Sequence, residues 1–117
     1  MAKLILATAE GQQAIDLRPL NSLGRHPNNT IQLLDKIVSK EHCIIELRVD
    51  RWFLRDLGSL NGTFVNGVLI GRRPVHLSPE ESDPASLPAF PVRDGDEIRV
   101  GDTVFRVRIP LPVPAGG

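Results

Sequence analysis

The sequence predicts an all-β fold, a sandwich or a barrel, on three observations. Short apolar-rich runs recur along the chain, tight-turn pairs such as Asn66-Gly67, Asp94-Gly95 and Gly101-Asp102 punctuate them, and no stretch sustains a helical period. At 117 residues the chain is one domain, long enough for a single hydrophobic core. It contains no long internal repeat.

Leu4, Leu6 and Thr8 alternate with Ile5 and Ala7, which makes a first strand. A Glu10-Gly11 turn leads to a second around Ala14-Ile15-Asp16-Leu17, completing an opening hairpin. Arg18-Pro19-Leu20 breaks the run, because proline has no N–H for a ladder, and Asn21-Ser22-Leu23-Gly24-Arg25 is a short strand. His26-Pro27-Asn28-Asn29-Thr30 is a loop, Ile31-Gln32-Leu33 alternates again, and Leu34-Asp35-Lys36 turns away. Ile37-Val38 opens a polar cluster, and Cys43 to Val49 follows as a strand with one wet face. Asp50-Arg51 is expected as the turn into Trp52-Phe53-Leu54-Arg55-Asp56-Leu57, where Trp52 supplies core area. Asn66-Gly67 reads as a two-residue hairpin turn, since both residue types take positive φ at little cost. Val68-Leu69-Ile70 and Pro74-Val75-His76-Leu77 read as short strands near the end of a sheet. From Ser78 to Pro91 four prolines and three acids sit in no period, so an excursion loop is expected there. Glu97 to Val100 and Thr103 to Ile109 form the clearest period-two hairpin. The folded domain is expected to span 1–109, with 110–117 as a Pro/Gly-rich tail or linker.

Fourteen basic residues balance fourteen acidic ones, so no global field advertises nucleic acid or an anionic membrane as a partner. Any anion site has to be local. Cys43 is the single cysteine and stands beside Ile44 and Ile45, which excludes an intramolecular disulfide and points to a buried thiol in a reducing compartment. No apolar run reaches the length of a membrane span and the N-terminus lacks a cleavage pattern, so a cytoplasmic location is expected. Catalysis finds no support. Ser39 and His42 are close in sequence but lack a nucleophile elbow and a third group, while His26, His42 and His76 with Cys43 have no zinc spacing. A P-loop is absent as well, so neither an enzyme nor a cofactor or metal is expected.

Three polar clusters stand out against this scaffold: Gly24-Arg25, Ser39-Lys40-Glu41-His42, and the stretch Gly58 to Gly67 with its two Asn-Gly pairs, Asn61-Gly62 and Asn66-Gly67. In this order, and on this strand pattern, they resemble the forkhead-associated (FHA) domain. The matching motifs are Gly24-Arg25, Ser39-Lys40-Glu41-His42, Ser59-Leu60-Asn61-Gly62-Thr63 with Asn66-Gly67, and Gly95-Asp96-Glu97-Ile98-Arg99-Val100-Gly101. Together they cover nearly the whole chain to about Ile109. The resemblance implies a two-sheet β-sandwich of about eleven short strands whose loops at one end bind phosphothreonine peptides. A phosphothreonine-containing protein or peptide, or an attached segment of the same chain, is then the expected partner, with a Ser/Thr kinase upstream.

A phosphothreonine carries nearly two negative charges and three acceptor oxygens, so its receptor needs fixed donors and a cation. Arg25 offers a planar donor fork, Ser39 a hydroxyl and Lys40 a second charge; the resemblance gives Asn61 the ligand backbone beside the phosphothreonine. Lys40 stands where arginine is also common in the family, exchanging a fork for a point charge. His42 is expected to brace its loop, and Gly24, Gly62, Thr63, Asn66 and Gly67 are assigned to loop architecture. Taken alone, Arg25 also reads as a surface arginine paired with Asp35 or another acid, Ser39 as a turn cap, and Lys40 as a solvated lysine. The rival at the level of function is a phosphate-independent scaffold that uses its sheet face or the 78–91 loop.

Overall fold

The computed structural model describes residues 2–73 and 88–110. Among these there is no helix, and eleven strands form two sheets. In chain order they are β1 (Lys3–Thr8), β2 (Gly11–Asp16), β3 (Leu20–Gly24), β4 (Ile31–Gln32), β5 (Cys43–Arg48), β6 (Arg51–Asp56), β7 (Thr63–Val65), β8 (Val68–Gly71), β9 (Phe90–Val92), β10 (Glu97–Val100) and β11 (Thr103–Arg108). One sheet has the order β2-β1-β11-β10-β7-β8 and the other β4-β3-β5-β6-β9. The pairing is antiparallel except between β3 and β4, where Leu23 stands beside Ile31 in parallel. This is the two-sheet β-sandwich that the resemblance implies.

Alternation along the strands builds the core. In β11 Phe105 and Val107 point inward while Val104, Arg106 and Arg108 point out. Leu4, Ile98 and Val100 join them from the same sheet, facing Leu23, Cys43, Ile45 and Leu54 of the other. Each such side chain, fully buried, contributes roughly 1.5–3 kcal/mol. Trp52 also lies in this core, and Cys43 is completely buried. Burial pushes the Cys43 thiol far above its ordinary value, so it is an inert packing group. In β6 the inward positions are Trp52, Leu54 and Asp56. The period that buries two apolar residues therefore turns a carboxylate inward at the strand's end.

The expected excursion loop ends earlier than Pro91. Phe90–Val92 is a strand, with Trp52 opposite Val92 and Phe53 opposite Pro91. Pro91 is tolerated because β9 is an edge strand, and this proline hid the strand by removing the alternation. The β5–β6 turn is Val49-Asp50, and Arg51 pairs with Arg48 inside the ladder. Val49 is 98 % exposed with φ at 60°, an uncommon conformation for a β-branched residue, which is why the turn read one residue late. The second strand begins at Gly11, three residues before the Ala14 expected from sequence. The reading of Pro74 to Leu77 as a strand, most of the 78–91 stretch and the tail from 111 lie outside the described residues. Among those described, no helix is long and apolar enough to cross a membrane.

Candidate functional site

The β3–β4, β4–β5 and β6–β7 loops and the β10–β11 turn gather at one end of the sandwich. Gly24 ends β3 against the β4–β5 loop: a Cβ there would stand 2.2 Å from the Lys40 carbonyl oxygen, closer than any side chain permits. That contact lets two backbone bonds form, Arg25 N–H to the Ser39 carbonyl at 3.0 Å and His26 N–H to the Lys40 carbonyl at 3.2 Å. Asn29 adds its side-chain amide to the Lys40 carbonyl at 2.7 Å. Arg25 and the Ser39-Lys40 pair are thereby held side by side.

His42 fastens the third loop. It is fully buried, accepts the Ser39 N–H at Nδ1 over 3.1 Å, and lies 2.8 Å from the Gly62 carbonyl through Nε2. An acceptor at Nδ1 fixes the proton on Nε2, so the ring is neutral and donates to Gly62. Burial lowers its pKa below the ordinary 6.5, against the raising pull of the Gly62 carbonyl and Asp56. The unfolded state then binds more protons between the folded and unfolded pKa values, so this contribution is full above pH 6.5 and declines as pH falls below it. The expected outcome is a melting temperature that drops as pH is lowered below 6.5, with the His42 ring titrating below that value by NMR. A His42 midpoint at or above 6.5 would contradict the bond assignment.

The β6–β7 loop is organised by Asp56. One oxygen accepts the Gly58 and Ser59 N–H groups at 2.8 Å each, and the other accepts the Ser59 and Thr63 hydroxyls. Ser59 Oγ in turn accepts the Gly62 N–H at 3.0 Å. Asp56, Ser59 and Thr63 are all fully buried, so the loop is wound around a satisfied carboxylate. At its tip the Leu60 N–H donates to Ser39 Oγ at 3.1 Å, and the Asn61 side-chain amide donates to the Ile37 carbonyl at 2.7 Å. Behind it Asn66, at φ 50°, and Gly67, at φ 80°, make the two-residue turn between β7 and β8. The Asn66 side chain accepts the Glu97 N–H at 2.9 Å and donates to Asp96 at 3.1 Å, tying that turn to β10.

Of the four residues expected at the site, Arg25, Ser39 and Asn61 are thus brought together around 37–39, and Lys40 stands next to Ser39 in the chain. Arg25 is exposed and, among the described residues, its side chain uses only Nε, on the Val38 carbonyl at 3.2 Å. Its expected alternative partner Asp35 is instead occupied by two backbone amides. Among the described residues the ion pairs are Lys3–Asp16 and Arg48–Glu46, and neither touches this end. Ser39 Oγ accepts from Leu60, which leaves its own proton to donate. The Lys40 side chain is exposed. The result is a set of cation and donors on loops whose backbone is pinned to β3, to His42 and to the β6–β7 loop.

A family model for the FHA domain matches residues 21–81, the stretch that carries all three loops. The chain belongs to the FHA domain family. Glycogen accumulation regulator GarA of Mycolicibacterium smegmatis is 38% identical over 84 residues, covering 72% of this chain and 42% of GarA. The oxoglutarate dehydrogenase inhibitor of Corynebacterium diphtheriae is 33% identical over 84 residues, covering 72% of this chain and 47% of the inhibitor. This FHA chain therefore spans less than half the length of those curated relatives. An FHA domain solved for phosphothreonine-dependent FHA interactions superposes with a TM-score of 0.69 at 28% identity, covering 94% of this chain and 98% of that one. The FhaA FHA domain, complexed with another protein's intracellular domain, gives 0.70 at 28% identity over 92% of this chain and all of that one.

Several organisers of the FHA loops were missed in the sequence. Asp56 was read only as strand, although an acid followed two residues later by Gly58-Ser59 is the signal of a side chain folding back on its own turn. Asn29 is expected only as a loop residue and Asp35 only as a turn residue or an ion-pair partner of Arg25, because their contacts to Lys40 and Asp102 are remote in sequence and no local pattern announces them.

Proposed function

We propose that this FHA domain binds a phosphothreonine segment of a partner protein, or of an attached part of its own chain, after a Ser/Thr kinase has modified it. The observation that carries the reading is the Arg25 guanidinium, exposed beside Ser39 and Lys40 and neutralised by no described carboxylate. Arg25 forks onto the phosphate, the Ser39 hydroxyl donates to a second oxygen, and Lys40 adds charge at the rim. Asn61, with its Nδ2 committed to Ile37, keeps Oδ1 to accept an N–H of an extended ligand backbone. Charge thus selects phosphate while the amide sets the register.

The relatives GarA and the oxoglutarate dehydrogenase inhibitor are regulators by name, which supports a regulatory binding role over catalysis. The test is a titration of an oriented phosphothreonine library and its unphosphorylated counterpart. Micromolar affinity, about −8 kcal/mol, is expected for the best phosphothreonine peptide. Phosphoserine is expected to bind more weakly, since the family seats the threonine methyl in a small pocket. Equal binding of phosphorylated and plain peptides would favour the scaffold reading, in which the sheet face or the 78–91 loop carries the partner.

A further inference from the structure

The β4–β5 loop feeds every part of the site. The Ile37 carbonyl holds Asn61, the Val38 carbonyl holds Arg25, and Ser39 brings its hydroxyl. Ser39 and Lys40 are held by β3, Asn29 and His42, whereas the first part of the loop, residues 35–38, is anchored by one side chain. Asp35 Oδ1 accepts the Ile37 N–H at 3.1 Å, and Asp35 Oδ2 accepts the Asp102 N–H at 2.7 Å across 67 residues of sequence. The Asp35 carbonyl also accepts the Val38 N–H at 3.0 Å. The Asp102 bond crosses between the two sheets, joining a loop of one to the β10–β11 turn of the other. Gly101 closes the joint from that side: a Cβ there would stand 2.7 Å from both Asp35 Oδ2 and Val38 Cγ2, and 3.1 Å from Ile37 Cγ1. The Asp102 amide first, and the Ile37 amide second, hold the Asp35 carboxyl below its ordinary 3.8, so it is an ionised acceptor at neutral pH.

We propose that Asp35 is a positioning residue for phosphopeptide recognition: it touches no ligand, yet by clamping the β4–β5 loop to the β10–β11 turn it sets the pose of Arg25, Ser39 and Asn61 together. This rests on the phosphothreonine reading above. A loop held in its bound shape before the ligand arrives spares the ordering cost at binding, so releasing the clamp weakens affinity without removing a single ligand contact.

The experiment combines two measurements on Asp35→Ala, Asp35→Asn and Gly101→Ala, with Asp94→Ala as a control. Asp94 also uses its carboxylate on a backbone amide, that of Ile109 at 2.9 Å, but beside the β9–β10 turn at the far end of the sandwich. The first is calorimetric titration, well below each melting temperature, with the phosphothreonine peptide that the wild-type domain selects from the library. Asp35→Ala is expected to bind about tenfold more weakly. Asp35→Asn, which keeps one acceptor oxygen, falls between it and wild type, Gly101→Ala weakens binding in the same direction, and Asp94→Ala binds as wild type. The second is amide hydrogen exchange without peptide, where Asp35→Ala accelerates Ile37, Val38, Ser39 and Leu60 while Asp94→Ala leaves them unchanged. Wild-type affinity in folded Asp35→Ala, or unchanged exchange at those four amides, would overturn the inference while leaving phosphate recognition intact. Absence of phosphopeptide binding by the wild-type domain would instead sink the phosphothreonine reading, and with it any role for Asp35 in recognition.

Discussion

Arg25→Ala is expected to remove phosphopeptide binding and to leave the fold standing. The wild-type guanidinium has its Nη groups uncommitted among the described residues, so it can give a phosphate two parallel charge-assisted bonds. Such bonds are worth about 1.5–3 kcal/mol each, so the loss is at least about 3 kcal/mol, or roughly two orders of magnitude in affinity. Among the described residues the only side-chain bond lost is the one from Nε to Val38 at an exposed residue, which costs about 1 kcal/mol or less in stability. Arg25→Lys keeps the charge and loses the fork, and is expected between the two. Calorimetric titration of each variant beside its thermal melt separates the effects. Wild-type affinity in Arg25→Ala would mean that the phosphate is read elsewhere.

Asp56→Ala is expected to be the most destabilising single change at this end of the molecule. It strands two buried hydroxyls, Ser59 and Thr63, and the amides of Gly58 and Ser59, all of which now point at one carboxylate. An unsatisfied buried donor costs about 1–3 kcal/mol, and water can enter to relieve the more exposed amide, so a total of about 3–5 kcal/mol is expected. That is a large share of the 5–15 kcal/mol of an ordinary domain, roughly speaking. Asp56→Asn keeps one acceptor oxygen but turns an NH₂ toward donors, and recovers only part of the loss. Urea unfolding at constant slope reads both values. A loss below about 1 kcal/mol for Asp56→Ala would show that the loop does not depend on its carboxylate.

The strands were legible because their signals are local. Val104, Phe105, Arg106, Val107 and Arg108 alternate in sequence as they alternate between core and solvent, and Asn66-Gly67 announces its turn by conformational preference alone. The loops were legible in position but not in mechanism. Nothing near Asp35 in the sequence indicates that it will meet Asp102, because the bond exists only once the two sheets have packed. Asp56 looked like an ordinary strand residue for a related reason. Its inward position follows from the same alternation that buries Trp52 and Leu54, and only burial makes its four donors necessary. The β9 strand was hidden by Pro91, which lacks the pattern of a strand yet occupies an edge where a ladder N–H is dispensable. Physical pairing at long range, and positions excused from the usual rules, are what a single sequence does not display.

The central claim is that phosphate is recognised at the loop end, by Arg25, Ser39, Lys40 and Asn61 acting together. The most direct measurement is an amide and side-chain NMR map of the wild-type domain, titrated with its selected phosphothreonine peptide and with the unphosphorylated peptide. The account predicts shifts concentrated at Arg25, Ser39, Lys40, Leu60 and Asn61, including the Arg25 guanidinium, and present only with phosphate. Shifts confined to the outer sheet face around Ile5, Val104 and Arg106, or identical with and without phosphate, would contradict it.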